Sequence, residues 1–482
     1  MFGWWAKSPD SGIQLFNTAA RKKEAFVPIT HGAVKIYTCG PTVYDYATIG
    51  NFRSYVFADV LRRTLEYAGY RVTQVVNITD FGHLVSDADE GEDKMIKGLK
   101  REGLPLTMEG MSQLATKFGD AFKEDMASLN IETPHAMPRA TEHVRGMIAY
   151  VDVLLHKGFA YKTTDGVYFD TQKFPHYGSL GGAASADHSR IGVSDEKHDP
   201  RDFAIWKFTD DPNMGWDAPW GRGFPGWHIE CTAMSTQYLG KSFDIHTGGI
   251  DHIAIHHNNE IAQAEAANNK PYARYWMHNE FITIDNARIG KSQGNQILLR
   301  QLRDRNVSPL AYRYWLLTGH YRSQMNFTWD AVEASQTALH RALRTFADLR
   351  GNGSVLQSYA KRFEDALYDD LDTPKAIAIL WELIKDESVK QGDKRATILD
   401  FDRVLGIGFS FTELERRALI GSVETESIPK DIQELMQKRE EARKNRDFHE
   451  ADTIRDELKA RGYAILDGAD GPTLTRISGV VR

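Results

Sequence analysis

Two cysteines, a histidine and a glutamate are the residues of this sequence best suited to metal chemistry. Cys39 and Cys231 are the only cysteines among 482 residues, and each stands near the end of a predicted element. His256 and Glu260 are four residues apart and therefore share one face of a helix. Two thiolates, an imidazole and a carboxylate form a ligand set that suits zinc. The four residues thus predict a zinc site drawn from distant parts of the chain.

Each of these residues also has a simpler interpretation when it is taken alone. A lone buried cysteine is usually a small apolar residue of the core, and a His-x-x-x-Glu pair on a helix is commonly a surface hydrogen bond. The two cysteines do not have the close spacing of a zinc ribbon. His257 could replace His256 as the ligand, since helical periodicity favours His256 only slightly.

A second group of residues has the features of a phosphate-binding site. The turn at 48–51 (Thr-Ile-Gly-Asn) opens a predicted helix directly after a strand, so backbone N–H groups and the positive helix end would face an anion. Far downstream, a glycine-flanked loop carries Arg288 and Lys291, and paired cations can stabilise the charge that develops on a polyphosphate. Taken singly, the segments also fit an ordinary strand–helix turn and a solvated basic loop.

Bulk composition indicates a multidomain protein of a reducing compartment. A chain of 482 residues exceeds what one core usually supports, so two to four domains are expected. The net charge of −7 excludes a uniformly basic surface but not a local basic groove. Two cysteines cannot build a disulfide framework. No signal-peptide pattern and no apolar run long enough for a membrane span is present, so we expect a cytoplasmic protein.

The elements that must position these residues alternate between strand and helix in two blocks. In the first block we predict a strand at 33–39, a helix at 52–70 and a strand at 71–80. This unit is typical of parallel sheets that bind ligands at the strand ends. In the second block we predict a helix at 226–240, a strand and glycine turn at 243–252, a helix at 256–268, and a strand followed by a loop at 280–295.

A mixed segment separates the two blocks, and a helical region follows them. The separating segment is predicted to contain charged helices at 85–150, a hairpin at 158–171, a loop at 178–202 and the strand DFAIWKF. From residue 308 the chain is predicted to be almost entirely helical, starting at Ser308-Pro309. A linker is expected at 421–431, before a small helical unit that ends in short strands.

Five segments together resemble the cysteinyl-tRNA synthetases, which are class I aminoacyl-tRNA synthetases. They share the order and spacing of that family's motifs and read YTCGPTVYDYATIGNFRSY, VVNITD, PGWHIECTAMS, DIHTGGIDHIAIHHNNEIAQ and RIGKSQGN. The likeness extends from about residue 13 to the end of the chain. Near that end, RDFHEADTIRDEL is similar to the family's last domain.

The resemblance implies an α/β fold with several domains. A Rossmann-type catalytic domain would be split by a mixed α/β insertion and followed by a helical bundle and a small C-terminal anticodon-recognition domain. The implied ranges are the first catalytic half at 13–84, the insertion at 85–215, the second catalytic half at 216–300, a stem-contact region at 301–330, the bundle at 331–420, and the linker with the anticodon domain at 421–482.

The resemblance also assigns roles to individual residues. The family's zinc ligands correspond one for one to Cys39, Cys231, His256 and Glu260. Residues around the substrate cysteine correspond to Gly40, Thr79 and Trp227. Residues that bind ATP or the adenylate correspond to Gly50, Asn51, His246 and Lys291. Groups with a catalytic role correspond to Thr48, Arg288 and Lys291.

Two departures from the family pattern concern the nucleotide. The family usually has a histidine where this chain has Thr48, whose hydroxyl can donate one hydrogen bond but carries no charge. In the second signature, Lys-Met-Ser is replaced by Arg-Ile-Gly at 288–290, while Lys291 is intact. Arginine keeps the positive charge of lysine but not its geometry. We therefore expect the rate of ATP-dependent chemistry to be altered rather than abolished.

The implied activity is the ATP-dependent attachment of cysteine to tRNA. L-cysteine and ATP, with Mg²⁺, would give cysteinyl-adenylate, and the cysteinyl group would pass to the 3′ end of tRNA(Cys). One zinc ion per chain would recognise the substrate thiol, because an apolar pocket discriminates by only about 1–3 kcal/mol per small group. Four protein ligands usually close a zinc site, so either coordination expands or a ligand loosens, and Glu260 is the candidate ligand. We expect a monomer that does not bind membranes.

Two other functions are compatible with the same motifs. Cysteine ligases that share this core transfer cysteine to an amine acceptor, but they lack the long C-terminal region of this chain. A non-catalytic RNA-binding paralogue with a structural zinc is suggested by Thr48 and the altered 288–290 segment. The intact Lys291 and the four ligands count against that alternative.

Overall fold

Two units make up the chain in this computed structural model. The structure describes residues 12–82, 94–181, 196–288, 295–420, 428–445, 447–461, 463–468 and 471–476. The first unit comprises Met1–Ile297, Gly319–Asn326 and Asp365–Asp372, and the second comprises Leu298–Thr318, Phe327–Glu364 and Thr373–Arg482. Among the helices described, none is both long and apolar enough to cross a membrane.

The first block of the chain forms the predicted strand–helix–strand unit. Its elements are β1 (Gln14–Asn17), β2 (Lys22–Ala25), β3 (Ala33–Thr38), α1 (Ile49–Tyr67) and β4 (Arg71–Val76). β3 and β4 pair in parallel, with Ala33 opposite Arg71 and Thr38 opposite Val76. The helix starts three residues earlier than predicted, because Thr48 caps its first turn. β4 ends four residues before the predicted end at 80, and isolated bridges join Ile78 to Arg139 and Thr79 to Thr42 beyond it.

The segment between the two blocks is mixed, as predicted. Its elements are α2 (Lys94–Glu102), α3 (Met108–Ser128), α4 (Val144–His156), β5 (Ala160–Lys162), β6 (Gly166–Phe169), β7 (Phe203–Phe208) and β8 (Gly223–Pro225). The strands form an antiparallel sheet in the order β5-β6-β7-β8, which confirms the hairpin at 158–171 and the strand DFAIWKF. This sheet extends beyond the boundary predicted at 215. Most of the predicted loop at 178–202 lies outside the described residues.

The second block returns the chain to the parallel sheet. Its elements are α5 (Trp227–Leu239), β9 (Phe243–Gly249), α6 (Asp251–Ala254), α7 (His256–Asn268), β10 (Ala273–Asn279), β11 (Ile282–Ile284) and β12 (Ala287–Arg288). The parallel order is β10-β9-β3-β4. All seven residues of β9 are buried, as expected for a strand covered on both faces. Sequence analysis did not predict β10.

The rest of the chain is mainly helical, as predicted. Its elements are α8 (Leu299–Asp304), α9 (Pro309–Leu317), β13 (Met325–Phe327), α10 (Trp329–Asp348), α11 (Gln357–Tyr368), α12 (Thr373–Lys385), α13 (Gln391–Leu405), α14 (Glu413–Leu419), α15 (Lys430–Lys444), α16 (Phe448–Ala460), β14 (Tyr463–Gly468) and β15 (Gly471–Arg476). Ser308 caps α9, and Pro309 is its first residue. The α15–α16 hairpin packs on the β14–β15 hairpin through a core that includes Ile432, Leu458 and Leu474.

A partly buried histidine on α10 should make the second unit sensitive to acid. Burial, together with the charge of Arg344, lowers the pKa of His340 to about 4. Because an unfolded histidine titrates near 6.5, the unfolded chain takes up this proton first as the pH falls. The stability that neutral His340 provides is therefore present above pH 6.5 and is lost between 6.5 and about 4. His340→Gln should lose less stability than the parent between pH 7.5 and pH 5.

Hydrogen exchange of peptides from α10 at the two pH values measures this difference, once it is corrected for the intrinsic exchange rate. His449→Gln on α16 is the control, since His449 is exposed. If His340→Gln and the parent lose equal protection on acidification, the titration of His340 does not contribute.

Candidate metal centre and active-site cleft

The four predicted metal ligands come together in the first unit. One ligand atom from each of Cys39, Cys231, His256 and Glu260 lies within 4.8 Å of those of the other three. All four side chains are buried, and Cys39, at 8%, is the most exposed of them. A set of this composition can hold zinc, and its burial excludes competing water.

The parallel sheet explains why residues so distant in sequence meet. Cys39 directly follows β3, and its N–H donates to the carbonyl of Thr247 on the neighbouring strand β9 at 3.3 Å. Cys231 lies in α5, while His256 begins α7 and Glu260 stands one turn further along it. Helices α5 and α7 pack against each other, which brings their side chains to the carboxyl end of β3.

One oxygen of the Glu260 carboxylate is held by hydrogen bonds, and the other faces the candidate metal ligands. Its Oε2 accepts hydrogen bonds from His246 Nε2 at 2.9 Å and from the Tyr272 hydroxyl at 3.0 Å. Its Oε1 lies 3.7 Å from Cys39 Sγ and 2.9 Å from His256 Nε2. Burial would raise the pKa of Glu260, but the neighbouring imidazoles of His246 and His256 outweigh burial and lower it. The carboxylate is therefore charged and oriented.

His256 is held in place by the residues on both sides of its ring. Its Nδ1 lies 2.9 Å from Nδ1 of His228, which fixes the ring. Its Nε2 lies 2.9 Å from Glu260 Oε1, within ion-pair distance. Burial would lower the pKa of His256, but the charge of Glu260 and a hydrogen bond with Cys231 raise it to about 10. The imidazole of His256 therefore lies among the other three candidate ligands, as a shared ion would require.

A second ligand set shares two residues with the first. Cys39 and Glu260 also lie within 4.8 Å of His246 and His257. In this set His257 Nε2 lies 3.4 Å from Cys39 Sγ and its Nδ1 lies 2.8 Å from His278, while His246 Nε2 donates to Glu260. This set contains one sulfur, whereas the first contains two, and thiolates are the ligands that favour zinc most. The number of sulfur ligands therefore favours the set with His256 over the set with His257, the alternative that the sequence left open.

A cleft of about 700 Å³ connects this cluster with the start of α1. Its wall includes Cys39, Gly40 and Trp227, together with Thr48, Gly50 and Asn51. The metal-ligand candidate Cys39 and the predicted phosphate-binding turn therefore face the same space. A molecule in this cleft could contact both.

Thr48 is the residue that caps the start of α1. Its Oγ1 donates to Asn51 Oδ1 at 2.8 Å, and the N–H of Asn51 donates back to Oγ1. The two residues form a capping box that starts α1. The hydroxyl proton is thus used within the capping box, which fixes the helix end, and the catalytic role that the resemblance implies for Thr48 stays a prediction.

The three predicted substrate-binding residues are placed differently. Gly40 and Trp227 line the cleft, and the Trp227 ring lies 4.2 Å from the His256 ring. Thr79 is buried, with an exposure of 1%, and its hydroxyl donates to Glu230 Oε2 at 2.7 Å. Thr79 can reach a substrate only by giving up this bond.

His246 contacts the candidate metal ligand Glu260. It is fully buried on β9, stacks on Trp276 and donates to Glu260. The structure thus places His246 beside a candidate metal ligand, and its position beside the adenylate stays a prediction. Arg288 is the last residue of β12, opposite Thr283. Lys291 lies outside the described residues.

Sequence reasoning missed two residues that contact the site. Tyr272 donates to Glu260, and Asn77 hydrogen-bonds with Gly40 and Thr79. Tyr272 precedes a strand and has no signal in the sequence. Asn77 lies inside the strand predicted at 71–80, within VVNITD, where a polar residue near a strand end could have suggested a role.

Three family descriptions match this chain. Residues 25–337 match "tRNA synthetases class I (C) catalytic domain". Residues 362–407 match "DALR domain", and residues 425–472 match "Cysteinyl-tRNA ligase anticodon binding domain".

Curated relatives match over nearly the full length. Cysteine–tRNA ligase 1 of Burkholderia lata is 44% identical, with 96% of each chain covered. Cysteine–tRNA ligase of Treponema denticola is 39% identical over 96% of this chain and 100% of its own. The similarity therefore includes both the catalytic region and the C-terminal region.

Solved structures share the fold at low identity. Leucyl-tRNA synthetase from Agrobacterium radiobacter, in a ternary complex with tRNA, matches with a TM-score of 0.60 and 11% identity over 83% of this chain and 86% of that one. Methionyl-tRNA synthetase from Mycobacterium tuberculosis matches with a TM-score of 0.53 and 15% identity over 78% and 90%. At such identities the likeness concerns the fold alone.

The two ligand sets predict different effects of mutation on zinc binding. Cys231→Ser should lower zinc affinity by more than the roughly 10–100-fold that loss of an outer hydrogen-bond partner costs, because a thiolate ligand is removed. His257→Gln should cost less than Cys231→Ser, since His257 belongs only to the second set. Zinc content after dialysis and competition with a chromogenic chelator measure both. The reverse order of effects would favour the set with His246 and His257.

Proposed function

The chain belongs to the cysteinyl-tRNA synthetases, the ATP-dependent class I ligases that form cysteinyl-tRNA, and on that premise we propose how its site selects cysteine. We propose that Cys39, Cys231, His256 and Glu260 hold one zinc ion per chain, and that this ion recognises the thiol of L-cysteine. The proposal rests on a single observation: Cys39 belongs both to the buried ligand cluster and to the wall of the cleft.

Sulfur recognition would account for selectivity against serine and alanine. When bound, zinc would take the substrate sulfur as thiolate, because metal coordination lowers the pKa of a thiol. Serine and alanine have no sulfur and would lose this contact. An apolar pocket alone would discriminate by about 1–3 kcal/mol, which is too little without a second, editing site.

The protein side of the site is built to keep its ligands in place. Glu260 is held at Oε2 by His246 and Tyr272, which leaves only Oε1 toward the cluster. This arrangement disfavours Glu260 as the ligand that loosens for the substrate. We therefore favour expansion of the coordination number over loss of a protein ligand.

Activation of cysteine needs the nucleotide at the other part of the cleft. ATP, with Mg²⁺, would lie against the first turn of α1, where Gly50 and Asn51 present a positive helix end to the phosphates. The cysteine carboxylate attacks the α-phosphate, and pyrophosphate leaves. Lys291 and Arg288 would stabilise the charge that develops on the phosphates. Thr48 would act through the capping box, by fixing the turn rather than by touching the nucleotide.

Transfer to tRNA completes the reaction. The terminal hydroxyl of tRNA(Cys) attacks the adenylate carbonyl, and AMP leaves. The C-terminal hairpins of α15–α16 and β14–β15 would bind the anticodon, in keeping with the family matched at 425–472. Because tRNA charging supplies cytoplasmic protein synthesis, we infer a cytoplasmic protein, and we retain the prediction that it acts as a monomer.

Cysteine-dependent ATP–pyrophosphate exchange, followed by charging of tRNA(Cys), tests this function. The parent protein should exchange with cysteine far faster than with serine. Lys291→Ala should lower kcat by about 10²–10³, the cost typical of losing one preorganised group that stabilises charge, with zinc content unchanged. Lys22→Ala is the control, because Lys22 is an exposed lysine on β2.

Three outcomes would contradict the proposal. Zinc-loaded protein without exchange activity would favour the non-catalytic RNA-binding paralogue. Exchange followed by transfer to an amine rather than to tRNA would favour an amine ligase with the same core. Equal exchange with serine and cysteine would remove the selective role of the metal.

A further inference from the structure

The side-chain amide of Asn77 contacts three residues of the candidate site, namely Gly40, Thr79 and Cys231. Asn77 directly follows β4 and has an exposure of 1%. Its Oδ1 accepts the N–H of Gly40 at 2.8 Å and lies 3.7 Å from Cys231 Sγ. Its Nδ2 donates to Thr79 Oγ1 at 3.3 Å. One side chain therefore contacts two predicted substrate-binding residues and one candidate metal ligand.

The hydrogen-bond partners determine which side-chain atom of Asn77 is the oxygen and which is the nitrogen. The Gly40 N–H needs an acceptor, so the oxygen must face it, and the nitrogen then faces Thr79. The hydroxyl of Thr79 donates in turn to Glu230 Oε2 at 2.7 Å. The chain thus runs in one direction, from Asn77 through Thr79 to Glu230, which is the neighbour of Cys231 in α5.

The backbone around Asn77 makes it a rigid support. Val76 and Ile78 donate to the carbonyls of Ala136 and Pro138, at 3.1 and 2.8 Å. Gly40 is pressed against the same segment: a Cβ on Gly40 would lie 1.5 Å from the carbonyl oxygen of Asn77. Only glycine fits this contact. Gly40 cannot move closer to Asn77 without a clash, and moving away would break the hydrogen bond from its N–H to Asn77 Oδ1.

We propose that Asn77 is a positioning residue that sets the distance between the thiol of Cys231 and the backbone of Gly40, and so places the sulfur site relative to the rest of the cysteine pocket. The inference rests on the proposed function, since it presumes that cysteine binds between these groups. Asn77 touches neither the nucleotide turn nor Glu260. Its loss should therefore affect cysteine and the metal, but not ATP.

Asn77→Ala tests the proposal in two independent measurements. In ATP–pyrophosphate exchange at saturating zinc, the KM for cysteine should rise about tenfold or more, while the KM for ATP stays within twofold. In chelator competition without substrates, zinc affinity should fall by roughly 10–100-fold, the usual cost of losing a partner of a metal ligand. The second readout does not depend on catalysis.

Asn17→Ala provides the matched control. Asn17 is a buried asparagine of the same unit, and its Oδ1 also accepts backbone N–H groups, from Trp276 and Ala19. Its side chain contacts none of the candidate ligands. It should lower thermal stability but leave zinc affinity and the KM for cysteine within twofold.

Asn77→Asp is a second variant for the case in which Asn77→Ala does not fold. It has nearly the same shape and keeps the acceptor for Gly40, but it loses the donor to Thr79. It should raise the KM for cysteine without raising the KM for ATP.

The outcomes separate this inference from the proposed function. Unchanged zinc affinity and KM for cysteine in Asn77→Ala would overturn it, and so would an equal rise in both KM values, which would indicate general damage. If the parent protein itself binds no zinc or shows no cysteine-dependent exchange, the proposed function fails first. If the parent is active and the variant equals it, only the role of Asn77 is lost.

Discussion

A buried carboxylate at the carboxyl end of the parallel sheet is the constraint on which the rest of the site depends. Glu260 is fully buried and charged, and removing such a charge from water costs several kcal/mol unless partners compensate for it. The imidazoles of His246 and His256 and the hydroxyl of Tyr272 supply that compensation. The position of Glu260 therefore determines where the surrounding side chains must lie.

The strand order couples this cluster to the nucleotide. In the order β10-β9-β3-β4, Cys39 lies at the end of the inner strand β3, and the same loop continues through Gly40 to the capped start of α1. In the proposed function, the sulfur site and the phosphate site would thus lie at the two ends of one short connection. The close contact between Gly40 and Asn77 ties this connection to the neighbouring strand β4. Under the proposal, the loop from Cys39 to the start of α1 would serve both the selection of the amino acid and its activation.

The sequence identified the candidate ligand residues better than it identified the hydrogen bonds between side chains. The strand–helix–strand unit could be predicted because the apolar periodicity and the turn at 48–51 indicate the same elements. The four ligand candidates could be identified because the sequence contains so few cysteines. β10 was missed because its aromatic run lacks a clear alternation. The contact of His246 with Glu260 was not predicted, because a strand buried on both faces offers no sign of which side meets a ligand. Asn77 and Tyr272 become visible only through hydrogen bonds to residues 37 and 12 positions away.

The central claim is that this cluster binds zinc and that zinc binds the sulfur of the substrate. X-ray absorption at the zinc edge, recorded on zinc-loaded protein with and without L-cysteine, counts the sulfur neighbours of the metal directly. Because the chain has only Cys39 and Cys231, the account predicts two sulfur neighbours without substrate, three with L-cysteine, and two with L-serine. Two sulfur neighbours in all three samples would contradict it.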